Sequence, residues 1–306
     1  MAAPSNRSGS VAAARSSLTE TVAVYLKPRV LVIMFLGFSS GLPLALSGST
    51  LLVWMTEAGV NLGTIGLFAL VGTPYTIKFL WAPLIDALDV PFFTRRFGRR
   101  RGWLLLSQFL LMGTIILLGL CDPSLSPLPV AIGALLVATA SATQDIVVDA
   151  FRVESLDESE QAAGMASYVA AYRIGMLVST AGALFLVSGF QGLGLDHSAA
   201  WSAGYAVMAV LVLIGVVTTL LAHEPGQSAS AVAARARETS LQRVVEAAVG
   251  AFSEFLTRDL ALVALAFVIL FKFTDALSGR LSTRKASTTI SWVDEAAATN
   301  SAPQAT

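Results

Sequence analysis

The chain is short of everything that a metal-based or disulfide-based design would need. Its 306 residues include one cysteine, Cys121, and two histidines, His197 and His223. A single cysteine excludes an internal disulfide and a cysteine-rich metal site. The histidines fall in separate loops without metal-ligand spacing, so neither a metal nor another cofactor is expected. Charge is scarce as well: 13% of the residues are Asp, Glu, Lys or Arg, and the formal net charge is zero. No basic footprint for nucleic acid exists in that balance. There is also no nucleophile–base constellation and no glycine-rich phosphate loop following a strand, which argues against an enzyme.

Apolar residues are abundant. They make up 55% of the chain, and the mean hydropathy is +0.71. A soluble domain of this size could not hide so much apolar surface, so the natural solvent is a lipid bilayer. Seven apolar runs are long enough to span it, at about 29–52, 61–84, 103–121, 128–151, 163–189, 200–222 and 259–279. Backbone groups must be satisfied inside hydrocarbon, so each run is expected to be a helix and the fold class all-α, a polytopic membrane protein.

The polar stretches divide the rest. Residues 1–28 are rich in Ala and Ser and have no apolar h-region, so they read as a disordered arm rather than a secretory signal. Residues 29–222 hold six spans. Residues 223–258 form a linker in which Leu241, Val244, Val245, Ala248, Val249, Phe252, Phe255 and Leu256 recur at helical spacing, the mark of an amphipathic interfacial helix. A seventh span at 259–279 is followed by a polar tail, 280–306, of low complexity and expected disorder.

Orientation follows from Lys and Arg. Fourteen of them lie in the arm, the 2–3 and 4–5 loops and the segment after the sixth run, and none in the 1–2, 3–4 and 5–6 loops. The arm and even-to-odd loops are therefore expected to be cytoplasmic. Only the tail, with Arg280, Arg284 and Lys285, breaks this bias.

Against that apolar background a few groups stand out. Gln144, Asp145 and Asp149 end the fourth run, Arg173 lies inside the fifth, Lys78 inside the second, and Lys272 and Asp275 inside the seventh. Such groups are expensive in hydrocarbon and are functional candidates by default. At 1.5 Å per residue, Asp145 lies about 10 Å inside Arg152, Lys78 about 12 Å inside Asp86, and Arg173 about 15 Å above the start of its run. Arginine can reach downward by snorkelling, so Arg173 is expected to approach Asp145, with Gln144 and Lys78 in the same layer. Structural readings compete with these: Lys78 as a snorkelling lysine, Asp149 as a solvated helix end, and Arg173 in a purely structural ion pair. The Arg-rich 2–3 loop, with Asp86, Arg99 and Arg100, serves as a topology anchor and is a candidate gate latch. Stripes of small residues, Gly37, Gly41, Ala45 and Gly48 in the first run and Gly175, Ser179 and Ala183 in the fifth, permit close helix packing, and Pro43 is expected to kink the first helix.

Four stretches resemble the major facilitator superfamily and, within it, the AmpG-type muropeptide permeases. They are Leu36-Gly-Phe-Ser-Ser-Gly-Leu-Pro-Leu-Ala-Leu46, Lys78-Phe-Leu-Trp-Ala-Pro-Leu-Ile-Asp86 with Phe97-Gly-Arg-Arg-Arg-Gly-Trp103, Ser141-Ala-Thr-Gln-Asp-Ile-Val-Val-Asp-Ala150, and Tyr172-Arg-Ile-Gly-Met176. The resemblance implies a six-helix bundle of the major-facilitator type plus a seventh transmembrane helix. It implies import of anhydro-muropeptides, sugar–peptide fragments of cell-wall turnover, across the bacterial inner membrane, coupled to protons. Gln144, Arg173 and Lys78 are then the substrate-contact candidates. Asp145 and Asp275 are the proton-site candidates, since a carboxyl group taken out of water is a natural proton carrier. Asp149, Asp86, Arg99, Arg100 and Lys272 are candidates for gating or structural roles.

Two features depart from the family. The superfamily's 2–3 loop has Gly four residues before its Asp and two residues between that Asp and the next Gly; here Ala82 takes the first place, and eleven residues separate Asp86 from Gly98. Family members carry two six-helix halves, whereas this chain shows seven runs, so the expectation is a truncated, inactive form needing a partner chain for the missing half. The alternatives are a seven-helix retinal protein with Lys272 as the Schiff-base lysine, against which the inside N-terminus and a carboxylate-free third run argue, and a non-transporting sensor.

Overall fold

The computed structural model describes residues 22–226 and 240–257, together with residues 263, 266, 267 and 270. The chain forms two compact units, Met1–Val245 and Glu246–Thr306. The expected seventh span at 259–279, with Lys272 and Asp275, and the tail lie outside the described residues except for those four positions. So do residues 1–21 of the arm and 227–239 of the linker.

Six helices among the described residues are long and apolar enough to cross a membrane: α1 Pro28–Glu57, α2 Leu62–Leu80, α3 Arg99–Gly119, α4 Pro127–Ser155, α5 Glu158–Gly192 and α6 His197–Leu221. Each coincides with one of the first six apolar runs. The side on which α1 begins, where the arginine-rich loops lie, is called the basic side below. The linker forms the expected helix, Ser240–Thr257, whose Arg243 meets Asp89 of the α2–α3 loop at 3.2 Å.

Departures from ideal helix have local causes. Helix α1 passes through Pro43 and breaks at Ser47–Gly48, four residues after the expected kink. Both the backbone N–H and the hydroxyl of Ser47 donate to the Pro43 carbonyl, at 3.0 and 2.9 Å, closing the turn there. Helix α2 is the least regular, alternating α and 3₁₀ turns from Leu62 to Leu80; its Gly63, Gly66, Gly72 and Pro74 are poor helix formers. Helix α5 carries a π-helical turn at Val178–Gly182, and Thr50 of α1 donates to the Ser179 carbonyl there at 2.7 Å.

The two small-residue stripes meet, with α1 lying against α5. A Cβ at Gly37 would stand 2.6 Å from the Tyr168 carbonyl oxygen. One at Gly41 would collide with the Tyr172 carbonyl, and one at Gly175 with that of Phe38. Backbone cannot retreat as a flexible side chain can. Gly41→Val is therefore expected to cost about 1–3 kcal/mol or to block assembly outright; thermal unfolding of the purified chain in detergent measures it.

Two apolar clusters fill the bundle. The one far from the basic side holds Trp54, Trp201 and Tyr205, with Trp54 stacked on Trp201 at 5.3 Å and the Tyr205 hydroxyl donating to the Leu46 carbonyl at 2.8 Å. The one near the basic side holds Val30, Ile33, Leu36, Ile146, Val147 and Phe151. Between them every span changes character. The intervening positions include Ser39 and Ser40 of α1, Tyr75 and Lys78 of α2, Ser107 and Gln108 of α3, Ser141, Gln144 and Asp145 of α4, Tyr172 of α5, and Thr218 and Thr219 of α6. A polar layer thus crosses the middle of the bundle.

Candidate functional site

The polar layer has two patches, one on each side of α1. On the α3–α6 side, Gln108 and Thr219 are fully buried and bond to each other, Nε2 to Oγ1 at 3.0 Å. Gly215 lets the Ser39 hydroxyl come close beside them. This patch ties three helices together.

In that patch only the Ser39 hydroxyl is left unmatched; on the α4 side most of the polar groups are left incomplete. The Gln144 amide is fully buried; its Nε2 donates to Ser40 Oγ at 3.1 Å, while its Oε1 has no partner. Asp145 is 8% exposed, and its Oδ1 is likewise unmatched. The Tyr75 and Ser141 hydroxyls, also buried, lie within reach of each other in the same neighbourhood but form no well-shaped hydrogen bond. Lys78, half-buried, is near enough for its charge to act on Asp145 but forms no ion pair with it. Tyr168 and Tyr172 of α5 complete the surroundings of Asp145. Buried polar atoms in native proteins are nearly all hydrogen-bonded, to protein, water or ligand. Incompletely bonded atoms gathered in one patch therefore point to a place that water and a polar ligand fill.

Gln144, Asp145 and Lys78 thus come together as their depths suggested. Arg173 does not join them: it is exposed and makes no ion pair among the described residues, so the expected approach to Asp145 is corrected. The reason is angular. Ala171 and Gly175 are buried in the α5 packing face, and at 3.6 residues per turn Arg173, two positions from each, points roughly 200° away. Asp149 is also outside the layer, exposed and 3.8 Å from Arg152.

At the basic side, Asp86, Arg99 and Arg100 form a second constellation. Arg100 is 5% exposed. It reaches Asp86 Oδ1 at 2.6 Å, and its Nε meets both Glu154 oxygens at 3.0 Å. Arg99 donates to the Asp86 carbonyl at 2.9 Å. The eleven residues separating Asp86 from Gly98 are accommodated by a short helix, Pro91–Phe97, which returns the arginines to Asp86. Glu224, just past α6, accepts from the backbone N–H groups of Arg100 and Arg101 at 2.8 and 3.0 Å and so caps α3. Gly98, with φ of +95°, admits that carboxylate; a Cβ there would stand 2.6 Å from Glu224 Cγ. Arg99 still reaches Glu154, at 3.5 Å, and both carboxylates keep access to water, so Arg100→Leu is expected to destabilise the chain by about 1 kcal/mol. Denaturation midpoints of the purified variant and parent check this.

Sequence reasoning missed Ser40, Tyr75, Ser141, Tyr168, Glu154 and Glu224 as members of these sites. For Ser40 and Ser141 a signal existed, since both lie in the apolar stretches that carry the family resemblance. Tyr168 and Tyr172 are four apart, the spacing that puts side chains on one helix face. Glu154 and Glu224 sit just beyond the apolar runs, where a carboxylate ordinarily reads as solvated.

Comparison with known proteins adds the following. The sequence profile of the Major Facilitator Superfamily matches residues 9–291. An anhydromuropeptide permease of Escherichia coli (strain K12) is 40% identical over 261 residues, covering 85% of this chain and 49% of the relative. A putative transporter, AmpG 4, of Rickettsia felis is 31% identical over 254 residues, covering 83% and 58% respectively. An uncharacterized protein of Haemophilus influenzae is 34% identical over 264 residues, covering 84% and 56%. The chain spans about half the length of the curated relatives it matches.

Proposed function

The chain belongs to the major facilitator superfamily, and on that premise we propose that it is the substrate-facing bundle of a permease that imports anhydro-muropeptides together with protons. The basic side is cytoplasmic in this reading, by the distribution of Lys and Arg, and the membrane is the bacterial inner membrane. Such a protein moves its substrate without chemistry on it. The family and relatives lend no support to the retinal alternative or to a sensor.

The observation that carries the proposal is the patch of buried, incompletely bonded atoms on the α4 side: Gln144 Oε1 and Asp145 Oδ1, with the Tyr75 and Ser141 hydroxyls beside them. A site near the midplane, between two apolar clusters, is where superfamily halves hold their cargo. A muropeptide offers hydroxyl, acetamido and carboxylate groups. Gln144 can bond the neutral ones, and the Lys78 ammonium can take a carboxylate. Arg173, exposed on α5, is a further contact for a carboxylate in this reading. Asp145 is the proton site, with Asp275 as a second candidate. Asp86, Arg99, Arg100 and Glu154 act as a latch that holds the α2–α3 loop to the end of α4; Asp149 is a further gating or structural candidate, as is Lys272, which lies outside the described residues.

Spans α2 and α5 form the open side. Of their most apolar windows 17% and 22% are buried, against 50% or more in the other four. A second bundle, from another chain or a longer one, packs there in this reading. The test is binding of a labelled anhydro-muropeptide to the purified chain in lipid nanodiscs. Saturable binding is expected, weakened about tenfold by Gln144→Leu, which deletes a buried hydrogen-bonding group. Absence of saturable binding overturns the proposal.

A further inference from the structure

We propose that the short helix Pro91–Phe97 of the α2–α3 loop is a docking site for the anionic headgroup of a phospholipid, with Arg95 and Arg96 on the phosphate and Phe92 among the acyl chains. Such a site serves the bundle whatever it carries.

The loop has more arginine than it can pair. Arg99 and Arg100 are engaged with Asp86 and Glu154. Arg101 donates to the Thr219 and Leu220 carbonyls at 2.9 and 2.8 Å. The loop's other carboxylate, Asp89, is held by Arg243 at 3.2 Å. Arg95 and Arg96 are left exposed, and neither forms an ion pair among the described residues. Arg96 lies over the Phe97 ring, 5.4 Å from its centre. Beside them Phe92 is 75% exposed. Residues three and four apart share a helix face, so Phe92, Arg95 and Arg96 stand together, and with Pro91 they line a hollow of about 520 Å³. A topology anchor needs positive charge alone. It does not need a large apolar ring held out beside that charge.

The position of the helix decides the partner. On α3, Phe109, Leu110, Ile116, Leu117 and Leu120 are exposed along one stripe, and lipid tails cover such a stripe readily. The loop helix lies over its continuation toward the basic side. Gly102 is seven residues, about two turns, before Phe109, and a Cβ on it would stand 3.0 Å from the Thr94 nitrogen. The Phe93 ring lies 6.3 Å from that of Phe109. Trp103, next along, donates its indole N–H to the Leu88 carbonyl at 2.8 Å, and tryptophan favours headgroup depth. The helix therefore rides at the headgroup level on the flank that lipid covers. A phosphodiester there meets two guanidinium forks, which match phosphate oxygens in geometry as well as charge. Phe92 beside them fits the first methylenes of the chains.

The experiment titrates the purified full chain in detergent micelles with phosphatidylglycerol or phosphatidylcholine of identical chains and reads bound lipid by native mass spectrometry. Phosphatidylglycerol is expected to bind more tightly. Arg95→Gln and Arg96→Gln should each lower its affinity by about fivefold, the gain one arginine draws from an anionic surface, and leave phosphatidylcholine unchanged. Arg29→Gln is the control, because that guanidinium is paired with Asp157 at 3.2 Å; phosphatidylglycerol affinity should not move. Glycerol phosphate, which has the phosphate without the chains, should not displace the lipid at equal concentration. Equal affinity of the parent chain for the two lipids overturns the site and gives the arginines to an acidic protein surface instead. A loss in Arg29→Gln as large as in Arg95→Gln and Arg96→Gln overturns it too, since any surface arginine would then serve. Displacement by glycerol phosphate at equal concentration replaces the lipid with a soluble phosphate.

Discussion

Affinity of the chain for an anhydro-muropeptide falls as pH rises, and the Asp145→Asn variant stays at the tight-binding limit at every pH. This is the largest effect expected of a single substitution. A protein that imports its cargo with protons must bind cargo better when its carrier site holds a proton. The carboxyl group gives up its proton as pH rises, so affinity declines. Asparagine is neutral at all pH values and imitates the protonated side chain, so the variant's affinity is flat and high. Coupling between two sites is typically worth about 5–150-fold in affinity, which sets the expected ratio between the acidic and alkaline limits. The ligand's own carboxyl groups titrate identically in both proteins and cancel when the two are compared. Asp145 is singled out by geometry: it is buried in the layer, one oxygen is unmatched, and the nearby Lys78 forms no ion pair with it. Asp149, four residues on, is exposed, and Asp149→Asn is expected to leave the pH dependence intact. A parent protein with no pH dependence, or an Asp145→Asn variant that keeps it, removes Asp145 as the proton site.

Much of this site is legible in sequence because hydrocarbon makes polar residues conspicuous. Gln144, Asp145 and Lys78 announce themselves by depth alone, and the spans by length. The stripes of Gly37, Gly41 and Gly175 likewise foretell that two helix backbones approach closely, and α1 and α5 do. What depth does not give is direction. Arg173 matches Asp145 in height but points away, and only its angle from Ala171 and Gly175 reveals that. Hydroxyls escape notice for another reason. Serine and tyrosine occur in membrane helices as packing residues, and nothing local distinguishes Ser141 and Tyr75, which form no well-shaped hydrogen bond, from Thr139, whose hydroxyl returns to the Leu135 carbonyl at 2.8 Å. The latch shows the converse. Asp86 and Arg100 are paired as their loop suggests, but Glu154 and Glu224 are recruited from elements more than fifty residues away. The π turn in α5 has no evident sequence signal; what identifies it is the Thr50 hydroxyl bonded to the Ser179 carbonyl.

Reconstituted in sealed vesicles by itself, the described bundle should bind muropeptide but not concentrate it. Alternating access needs two bundles rocking about a shared site, so that each side of the membrane is sealed in turn. Here α2 and α5 present Leu67, Leu70, Phe79, Ile174, Leu177 and Phe185 outward, and no second bundle faces them among the described residues. Lipid can cover those apolar side chains at little cost, since its tails are as apolar as they are. It cannot serve as the moving wall that opens the layer to one side and closes it to the other. With a pH gradient imposed, label in vesicles holding the chain alone should therefore saturate at the amount of protein present. Co-reconstitution with the part of the Escherichia coli permease that lies outside the matched 49% of its length should supply the facing wall. Uptake should then exceed the binding stoichiometry and collapse when the gradient is dissipated. Gradient-driven accumulation by the chain alone would show that one copy, or several copies together, already complete the transporter. Failure of the added half to raise uptake, with binding intact, would show that the open side formed by α2 and α5 is not where a second bundle engages.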